Sequence, residues 1–309
     1  MFAAVLASLL PVMLMILLGA ALRAMHFLPE ACFHGLNKLA FWVGLPCMLF
    51  LDIAGASASG AVTLRIAAAI LGGSLLAGLC AWAVAALWRL PRPTLRVFVQ
   101  GAFRGNLAYV GIPVIYFALD ADPGARAVAV LALAPTIPIF NVACVLVLLK
   151  PGEGHWAQRL GKTLLEIARN PLFIACLLGL LARHLALPLP DALMRAVRGV
   201  GGLGLPCALF ALGASLTPER VQGQGRPACV ASIFKVVLSP LIGYTLGRAL
   251  GLDGDHLLIA VLLAATPTAV ASFVMADQMG ADRNLAAAII VVSTLLAFPA
   301  LAVVILLMC

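Results

Sequence analysis

Long apolar stretches, each about the length needed to cross a bilayer, recur along the chain and leave no room for a soluble domain. A transmembrane helix needs about 20 predominantly apolar residues. About ten such stretches lie near residues 3–22, 36–54, 62–88, 97–118, 125–149, 171–187, 192–216, 229–250, 256–276 and 285–308. The sequence therefore predicts an all-α membrane protein with about ten transmembrane helices, which are numbered below as spans 1 to 10.

The composition agrees with a membrane-embedded chain. Of the 309 residues, 64% are hydrophobic and only 10% are charged, whereas soluble domains have roughly 45–50% apolar and about 25% charged residues. The net charge is +8, but the sequence contains no run of five or more Lys and Arg residues, so no nucleic-acid partner is expected. The eight cysteines are scattered without a CxxC motif, and they are interpreted as small hydrophobic side chains. Neither a metal site nor a cofactor is predicted.

The basic residues predict the orientation in the bilayer. Loops that follow odd-numbered spans contain twelve Lys and Arg residues, and loops that follow even-numbered spans contain six. Since Lys and Arg are enriched in cytoplasmic loops, the odd loops are predicted to be cytoplasmic and both termini to lie outside. The expected location is a bacterial cytoplasmic membrane.

The two halves of the chain share a repeated sequence at a constant offset of 160 residues. The segment GLPCMLF at 44–50 returns as GLPCALF at 204–210, and twelve of the 44 positions from 11 to 54 are identical at this offset. Each repeat contains five spans, so the second copy enters the membrane in the opposite direction. The predicted organisation is a first five-helix repeat at 1–149, a short connection at 150–170 and an inverted repeat at 171–309, within one membrane domain. Transporters with inverted repeats bind their substrates near the midplane, where the repeats meet.

Two prolines predict interruptions in corresponding parts of the halves. Pro113 in span 4 follows Gly111, and Pro267 lies in the middle of span 9. Proline lacks the backbone N–H group that an α-helix requires, and the half-helix after a break presents free N–H groups and partial positive charge, which suit a carboxylate. Spans 4 and 9 are therefore predicted to be broken helices that form an anion site.

Polar residues near these prolines are the candidate substrate contacts. Asn106 lies seven residues before Pro113, and a buried amide needs partners. We favour substrate contact for Asn106, with helix capping or helix–helix hydrogen bonding as the alternative. The remaining candidates are Gly111, Ile112, Thr266 and Thr268, followed by Tyr109, Asn141 and Ser272.

Two basic residues lie within spans, and no acidic residue lies near the middle of one. Arg104 either attracts an organic anion or binds carbonyl groups near a helix end. Lys235 is also a candidate substrate contact, but extension of its ammonium group to the membrane surface is favoured. Without a central carboxylate, a carboxylate proton relay is not expected. Sodium held by carbonyl and amide groups, coupling through the substrate's own proton and uncoupled transport remain open.

These motifs resemble those of the auxin efflux carrier family, which includes plant auxin exporters and many bacterial permeases. The resemblance consists of Arg-Gly-Asn at 104–106 followed by Gly-Ile-Pro at 111–113, and of Thr-Pro at 266–267 followed by ASFVMA at 271–276. The ten-span plan extends it over the whole chain.

The resemblance implies a fold and a mechanism. Spans 4 and 9 would cross at Pro113 and Pro267, and Asn106 would correspond to the family's substrate-binding asparagine. Spans 1, 2, 6 and 7 would form a scaffold, with a homodimer formed through it, and spans 3–5 and 8–10 would form a transport unit that moves like an elevator. The long cytoplasmic loop of the plant members is missing here. Bacterial relatives are associated with malonate or malate.

The leading functional hypothesis is therefore a secondary transporter of a small organic anion, such as a malonate-like, malate-like or auxin-like carboxylate. A sodium-coupled symporter of the bile-acid type shares the ten-span inverted plan and is the alternative within transport. A non-transporting membrane receptor is a further alternative. An enzyme is not expected, because the five histidines are dispersed and form no HExxH motif.

Overall fold

The computed structural model of the chain describes residues 2–55, 60–119, 122–149, 161, 165, 168–185, 189–216 and 221–308. Most of the predicted connection at 150–170 lies outside these residues, as do Cys309 and four of the basic loop residues used to predict orientation. The described residues are almost entirely helical and contain no β-strand. Their α-helices are α1 (Phe2–Ala24), α2 (Glu30–Leu39), α3 (Leu45–Ala54), α4 (Gly60–Leu87), α5 (Arg92–Phe103), α6 (Ile112–Ala118), α7 (Pro123–Leu148), α8 (Pro171–His184), α9 (Asp191–Gly201), α10 (Gly204–Ser215), α11 (Gly225–Ile233), α12 (Ser239–Ala249), α13 (Gly254–Ala264), α14 (Ala271–Gln278) and α15 (Arg283–Met308).

Seven helical segments are long and apolar enough to cross a membrane, and they correspond to seven of the ten predicted spans. They are Val5–Ala24, Glu30–Ala54, Gly60–Leu87, Gly124–Leu148, Asp191–Ser215, Gly225–Ala249 and Arg283–Met308. The predicted spans 4, 6 and 9 contain shorter apolar helices, at Leu107–Ala118, Pro171–His184 and Gly254–Ala264. The all-helical membrane fold is thus confirmed, while the count of ten spans stays a prediction.

Three helical segments contain a π-helical turn, which is wider than an α-helical turn. Each of these turns precedes a proline. The turns are Ala40–Gly44, Leu107–Gly111 and Phe234–Leu238, and the prolines are Pro46, Pro113 and Pro240. A proline ring collides with the carbonyl four residues earlier in a regular α-helix. A π-turn, with hydrogen bonds that span five residues, makes room for the ring. These prolines widen their helices without ending them.

The helices pack in two groups. Spans 1, 2, 6 and 7 pack mainly on one another, with α1 against α10 and α3 against α8. In the second group, α4 packs on α5, α7, α12 and α13, and α15 packs on α5 and α11. Contacts of α1 with α6 and α15 join the groups. The described helices therefore form two packing groups that contact each other.

Contacts in the first group are reciprocal between the two halves of the sequence. A Cβ atom on Gly19 would collide with the backbone of Phe210, and a Cβ atom on Gly179 would lie 3.1 Å from the carbonyl oxygen of Phe50. Residues 19 and 179, like residues 50 and 210, are separated by the same 160 positions as the repeated sequence. The close glycine contacts of this group therefore recur at the offset of the repeated sequence.

The repeated glycines Gly44 and Gly204 touch each other, and this contact gives a test of the packing. A Cβ atom on Gly44 would lie 2.6 Å from the Cα atom of Gly204, a backbone atom that cannot rotate away. We expect Gly44→Ala to destabilise the protein by about 1–3 kcal/mol through overpacking. Gly35→Ala is the matched control because nothing lies within 4 Å of its added Cβ atom.

Thermal unfolding in detergent measures both variants. Gly35→Ala should leave the unfolding temperature unchanged or raise it, because alanine favours a helix by roughly 0.5–1 kcal/mol over glycine. Equal unfolding temperatures for Gly44→Ala and the wild type would contradict the inferred close contact.

Candidate functional site

Both spans that were predicted to break are interrupted. Span 9 breaks between Ala264 and Ala271, so Pro267 lies inside the interruption as predicted. Span 4 breaks between Phe103 and Leu107. The residues of this break, 104–106, lie at least seven positions before Pro113. The prediction that Pro113 itself forms the break is therefore wrong. Pro113 lies in the first turn of α6, after the π-turn, where its missing N–H group is tolerated.

The two interruptions pair with each other through their backbones. Gly105 and Thr268 form an isolated antiparallel bridge. On one side of it the Asn106 N–H donates to the Pro267 carbonyl at 2.7 Å, and on the other the Ala269 N–H donates to the Arg104 carbonyl at 3.0 Å. We call residues 104–106 and 267–269 the crossing. It satisfies backbone groups that an interrupted helix would otherwise leave unpaired inside a membrane.

The crossing is closely packed around Gly105. A Cβ atom at this position would lie 2.7 Å from Thr266 Oγ1 and 3.3 Å from Lys235 Cε. Gly111 is close to the same threonine, since its Cβ atom would lie 3.3 Å from Thr266 Cγ2. The structure thus places two predicted candidates, Gly111 and Thr266, close to each other beside the crossing.

Asn106 combines a structural hydrogen bond with an unused donor. Its Oδ1 atom accepts the N–H group of Tyr109 at 3.3 Å and so caps the π-turn that starts the second half of span 4. The side chain is buried, with 3% exposure, and its Nδ2 atom has no hydrogen-bond partner among the described residues. A buried amide N–H without a partner costs about 1–3 kcal/mol. This group is therefore available to an acceptor such as a carboxylate.

Arg104 lies next to the crossing as a largely buried cation, with 8% exposure. One of its nitrogens donates to Asn141 Oδ1 at 2.8 Å, and another contacts the sulfur of Met275. No Asp or Glu side chain among the described residues pairs with it. Its side-chain partners are the Asn141 amide, the Met275 thioether and the nearby Cys144 thiol, all of which are neutral groups. A buried guanidinium with neutral partners attracts anions.

The expectation that Lys235 extends to the membrane surface is wrong. Its side chain is completely buried, and Nζ donates to the carbonyl oxygen of Ala264 at 2.5 Å. Ala264 is the last residue of α13, directly before the interruption of span 9. The carbonyl is available because the helix ends there, which offers the ammonium group a partner inside the protein.

Hydroxyl groups hold the segment within the break of span 9. Thr266 Oγ1 donates to the Leu263 carbonyl at 2.7 Å, and Thr268 Oγ1 donates to the Gly101 carbonyl at 2.7 Å. The Thr268 N–H donates to Ser293 Oγ at 3.0 Å. These bonds give Thr266 and Thr268 structural roles, so their hydroxyl hydrogens are already engaged.

Two buried polar side chains near the crossing make no hydrogen bond of good geometry among the residues that the structure describes, although one of them lies next to the Cys144 thiol. One is the predicted candidate Ser272 in the first turn of α14, through its Oγ atom. The other is Gln100, which the sequence analysis missed. Gln100 lies one helical turn before Arg104 and is fully buried in α5. The sequence signal that could have identified Gln100 is its amide group, four residues before an arginine within a span.

A narrow cleft, open to its surroundings, lies where the two helix groups meet. Of the predicted site residues, Ile112 and Asn141 line it, and Asn141 is also the partner of Arg104. The other lining residues are Leu49, Leu133, Ala134, Ile137, Pro138, Asn170, Leu172, Phe173 and Cys176. The cleft is predominantly apolar, and Asn141 joins it to the cation beside the crossing.

Comparison with known proteins gives a match along nearly the whole chain. The family described as membrane transport protein matches residues 4–156 and 155–305. The family and the names of the relatives indicate a transporter and not an enzyme.

Three relatives represent the range of similarity. A protein of Rhizobium meliloti named "Putative malonate transporter" is 32% identical over 204 residues, which cover 63% of this chain and 61% of the relative. An uncharacterized transporter of Methanothermobacter thermautotrophicus is 25% identical over 300 residues, or 95% of each chain. Auxin efflux carrier component 4 of Arabidopsis thaliana is 28% identical over 140 residues, which cover 43% of this chain and 23% of the plant protein.

Proposed function

The chain belongs to the membrane transport protein family, which is the auxin efflux carrier family, and on this premise we propose that it is a secondary transporter of a small organic anion. The observation that carries the proposal is the crossing, with a buried cation beside it and an amide donor without a partner among the described residues. Broken helices that meet at mid-membrane are a recurrent design for transporter sites.

The proposed site binds a carboxylate group. Asn106 Nδ2 donates one hydrogen bond to it, and the guanidinium of Arg104 supplies the opposite charge from two residues away along the chain. Residues two apart in an extended segment project to the same side, and Arg104 has extended backbone angles of φ −77° and ψ 100°. The π-turn and α6 that follow Asn106 contribute partial positive charge at their N-terminal end.

The names of the relatives agree with a carboxylate substrate. The Rhizobium protein is named for malonate and the plant proteins are named for auxin, and both compounds carry a carboxylate group. The buried cation favours the ionised form of the acid, since a charge in an apolar site requires a charge of opposite sign. The proposed substrate class is therefore a small carboxylate anion.

Alternating access by an elevator motion is the proposed mechanism. Spans 1, 2, 6 and 7 would form the scaffold, and the remaining spans would carry the crossing past it. The separate packing of the two helix groups supports this division. The cleft between them, lined by residues of spans 2, 4, 5 and 6, supports an approach to the site along the boundary of the groups.

We also propose that the chain consists of two inverted five-helix repeats. The reciprocal glycine contacts at the 160-residue offset support this arrangement. The family match divides into two segments near residue 155, which also supports it. Both termini would lie outside a bacterial cytoplasmic membrane, and the scaffold helices would form the contact of a homodimer.

Counterflow in proteoliposomes tests the proposed function. Vesicles that contain the purified protein and a high internal concentration of unlabelled substrate should take up labelled substrate from outside, and vesicles without protein should not. Malonate, malate and an indole carboxylate are offered separately, each beside its neutral amide. We expect accumulation of at least one acid and none of the amides.

Two results would contradict this function. Specific binding of an acid without any flux, in vesicles of verified orientation, would favour the receptor alternative. Equal uptake of an acid and its amide would contradict an anion site.

A further inference from the structure

Two charged side chains and a tyrosine meet at one end of the boundary between the two helix groups. Asp52 lies in the last turn of α3, Tyr116 in the last turn of α6 and Arg126 in the first turn of α7. The guanidinium carbon of Arg126 is 5.1 Å from the centre of the Tyr116 ring, and the carboxylate of Asp52 interacts electrostatically with the same guanidinium. In the ten-span plan, spans 2 and 4 end on the side where span 5 begins, so the three residues share one side of the membrane.

The packing of span 2 on span 5 independently places the two charges near each other. The helices α3 and α7 pack together, and Leu49 of the first and Leu133 of the second line the same cleft. Spans 2 and 5 run in opposite directions in the ten-span plan, so residue numbers rise along one helix as they fall along the other. Asp52 therefore lies near the level of residue 130, about one turn from Arg126. An arginine side chain is long enough to reach across one turn, whose pitch is about 5.4 Å.

The charges attract each other, but the hydrogen bonds of the cluster are incomplete. Oδ2 of Asp52 and the hydroxyl group of Tyr116 are buried and have no hydrogen-bond partner among the described residues. Opposite charges attract more strongly in a medium of low dielectric constant than in water, whereas buried polar atoms without partners would be better hydrated. Attraction thus holds this contact closed while hydration favours its opening, which suits a contact that breaks and re-forms.

The second half of the chain has no equivalent charge pair. The helices α7 and α15 begin and end 160 residues apart, at the offset of the repeated sequence. At this offset Asp52 corresponds to Leu212 and Arg126 to Ala286, both of which are buried and apolar. The packing differs in the same way. Whereas α3 packs on α7 and α1 packs on α6, the corresponding pairs, α10 with α15 and α8 with α14, have little or no contact among the described residues. The boundary is therefore closed at the end that carries the charges.

The cleft extends toward the opposite end of the boundary. Its lining includes Asn170 and Leu172 at the beginning of α8, and in the ten-span plan span 6 begins where span 5 ends. We propose that Asp52 and Arg126 form an electrostatic latch between the scaffold and the transport unit, which closes the outer side and holds the substrate-free protein in an inward-facing state. This inference rests on the proposed elevator mechanism and orientation, and it names a contact that must break in each cycle.

A cysteine introduced beside the latch measures how often the boundary opens there. Val130→Cys places a thiol of similar size on α7, where Val130 is 1% exposed and lines a small pocket together with Tyr116. The experiment follows the rate at which a maleimide modifies this thiol in purified, substrate-free protein, by mass spectrometry of the peptide. Native Cys144 is completely buried and should remain unmodified in every variant that is folded.

Loss of either charge should open the boundary. In the Val130→Cys protein, Asp52→Asn or Arg126→Gln should raise the modification rate by about tenfold or more, which corresponds to a shift of about 1.4 kcal/mol toward the open state. Asp253→Asn is the matched control, because Asp253 is exposed and its side chain makes no capping hydrogen bond. It should leave the rate unchanged.

The double variant Asp52→Leu/Arg126→Ala separates a charge pair from two independent packing residues. It carries the residues found at the equivalent positions of the second half and removes both charges together, so its rate should return to within about threefold of the Val130→Cys protein. If this variant does not fold, Asp52→Arg/Arg126→Asp replaces it, because the exchanged charges still attract each other.

Two results would overturn the latch. One is an unchanged modification rate in both single variants, and the other is a double variant, neutral or exchanged, that reacts as fast as the single variants. The measurement uses no substrate, so it decides whether the latch exists even if the protein transports none of the offered anions.

Discussion

Replacement of Asn106 by alanine is expected to raise the substrate concentration for half-maximal counterflow by about 10- to 100-fold. The Nδ2 group of Asn106 is buried and has no partner among the described residues, so a bound carboxylate would be its acceptor. A hydrogen bond to a charged group contributes about 1.5–3 kcal/mol, and each 1.4 kcal/mol corresponds to about a tenfold change in affinity. The concentration dependence of counterflow measures this change.

Alanine also removes the cap of the π-turn, so a second substitution is needed to separate the two roles. Asn106→Asp keeps an oxygen acceptor for the Tyr109 N–H group and replaces the free N–H donor with a second oxygen. We expect this variant to retain the fold, measured by thermal unfolding, and to lose the substrate at least as completely as alanine does. Asn37→Ala, at an exposed position of α2, is the matched control and should transport normally.

The outcome for Asn106→Asp decides the assignment. If this variant transports with the affinity of the wild type, the Nδ2 group does not bind the substrate and Asn106 is a capping residue. A loss of flux with an unchanged unfolding temperature would support substrate contact.

The sequence predicted those features of the fold whose signal lies within the span itself, and it missed those that depend on a distant partner. Apolar length is a local property, and seven spans were found where the sequence placed them. The interruption of span 9 contains Pro267, which is a local signal as well. The interruption of span 4 contains no proline, and its backbone groups are paired by residues 267–269, more than 150 positions away. No pattern within span 4 reports that distant partner, so the break was predicted at Pro113 instead.

The same limit explains the error at Lys235. A lysine one or two turns inside a span commonly reaches the membrane surface, and nothing near it in the sequence suggests otherwise. The carbonyl that binds it belongs to Ala264, 29 residues later, and is free only because α13 ends there. Asn106, by contrast, could be selected as a candidate because an amide in an apolar stretch is conspicuous by itself.

Replacement of Arg104 by glutamine is expected to weaken binding of the anion by about 10- to 100-fold, because the site loses a charge-assisted interaction worth roughly 1.5–3 kcal/mol. The substitution keeps a polar side chain at a position that contacts Asn141 and Met275. Arg104→Lys retains the positive charge without the planar guanidinium and should recover part of the affinity. Counterflow at varied substrate concentration compares the three proteins.

A purely structural role for Arg104 would also reduce transport, so the decisive measurement is the preference for charge. The wild type should bind a carboxylate much more tightly than its neutral amide, and Arg104→Gln should lose most of that preference. Met275→Leu is the control, since it removes the sulfur contact, roughly conserves volume and leaves the charge in place. It should retain the preference even if its unfolding temperature falls. An unchanged ratio of acid to amide binding in Arg104→Gln would mean that the buried guanidinium supports the crossing and does not attract the substrate.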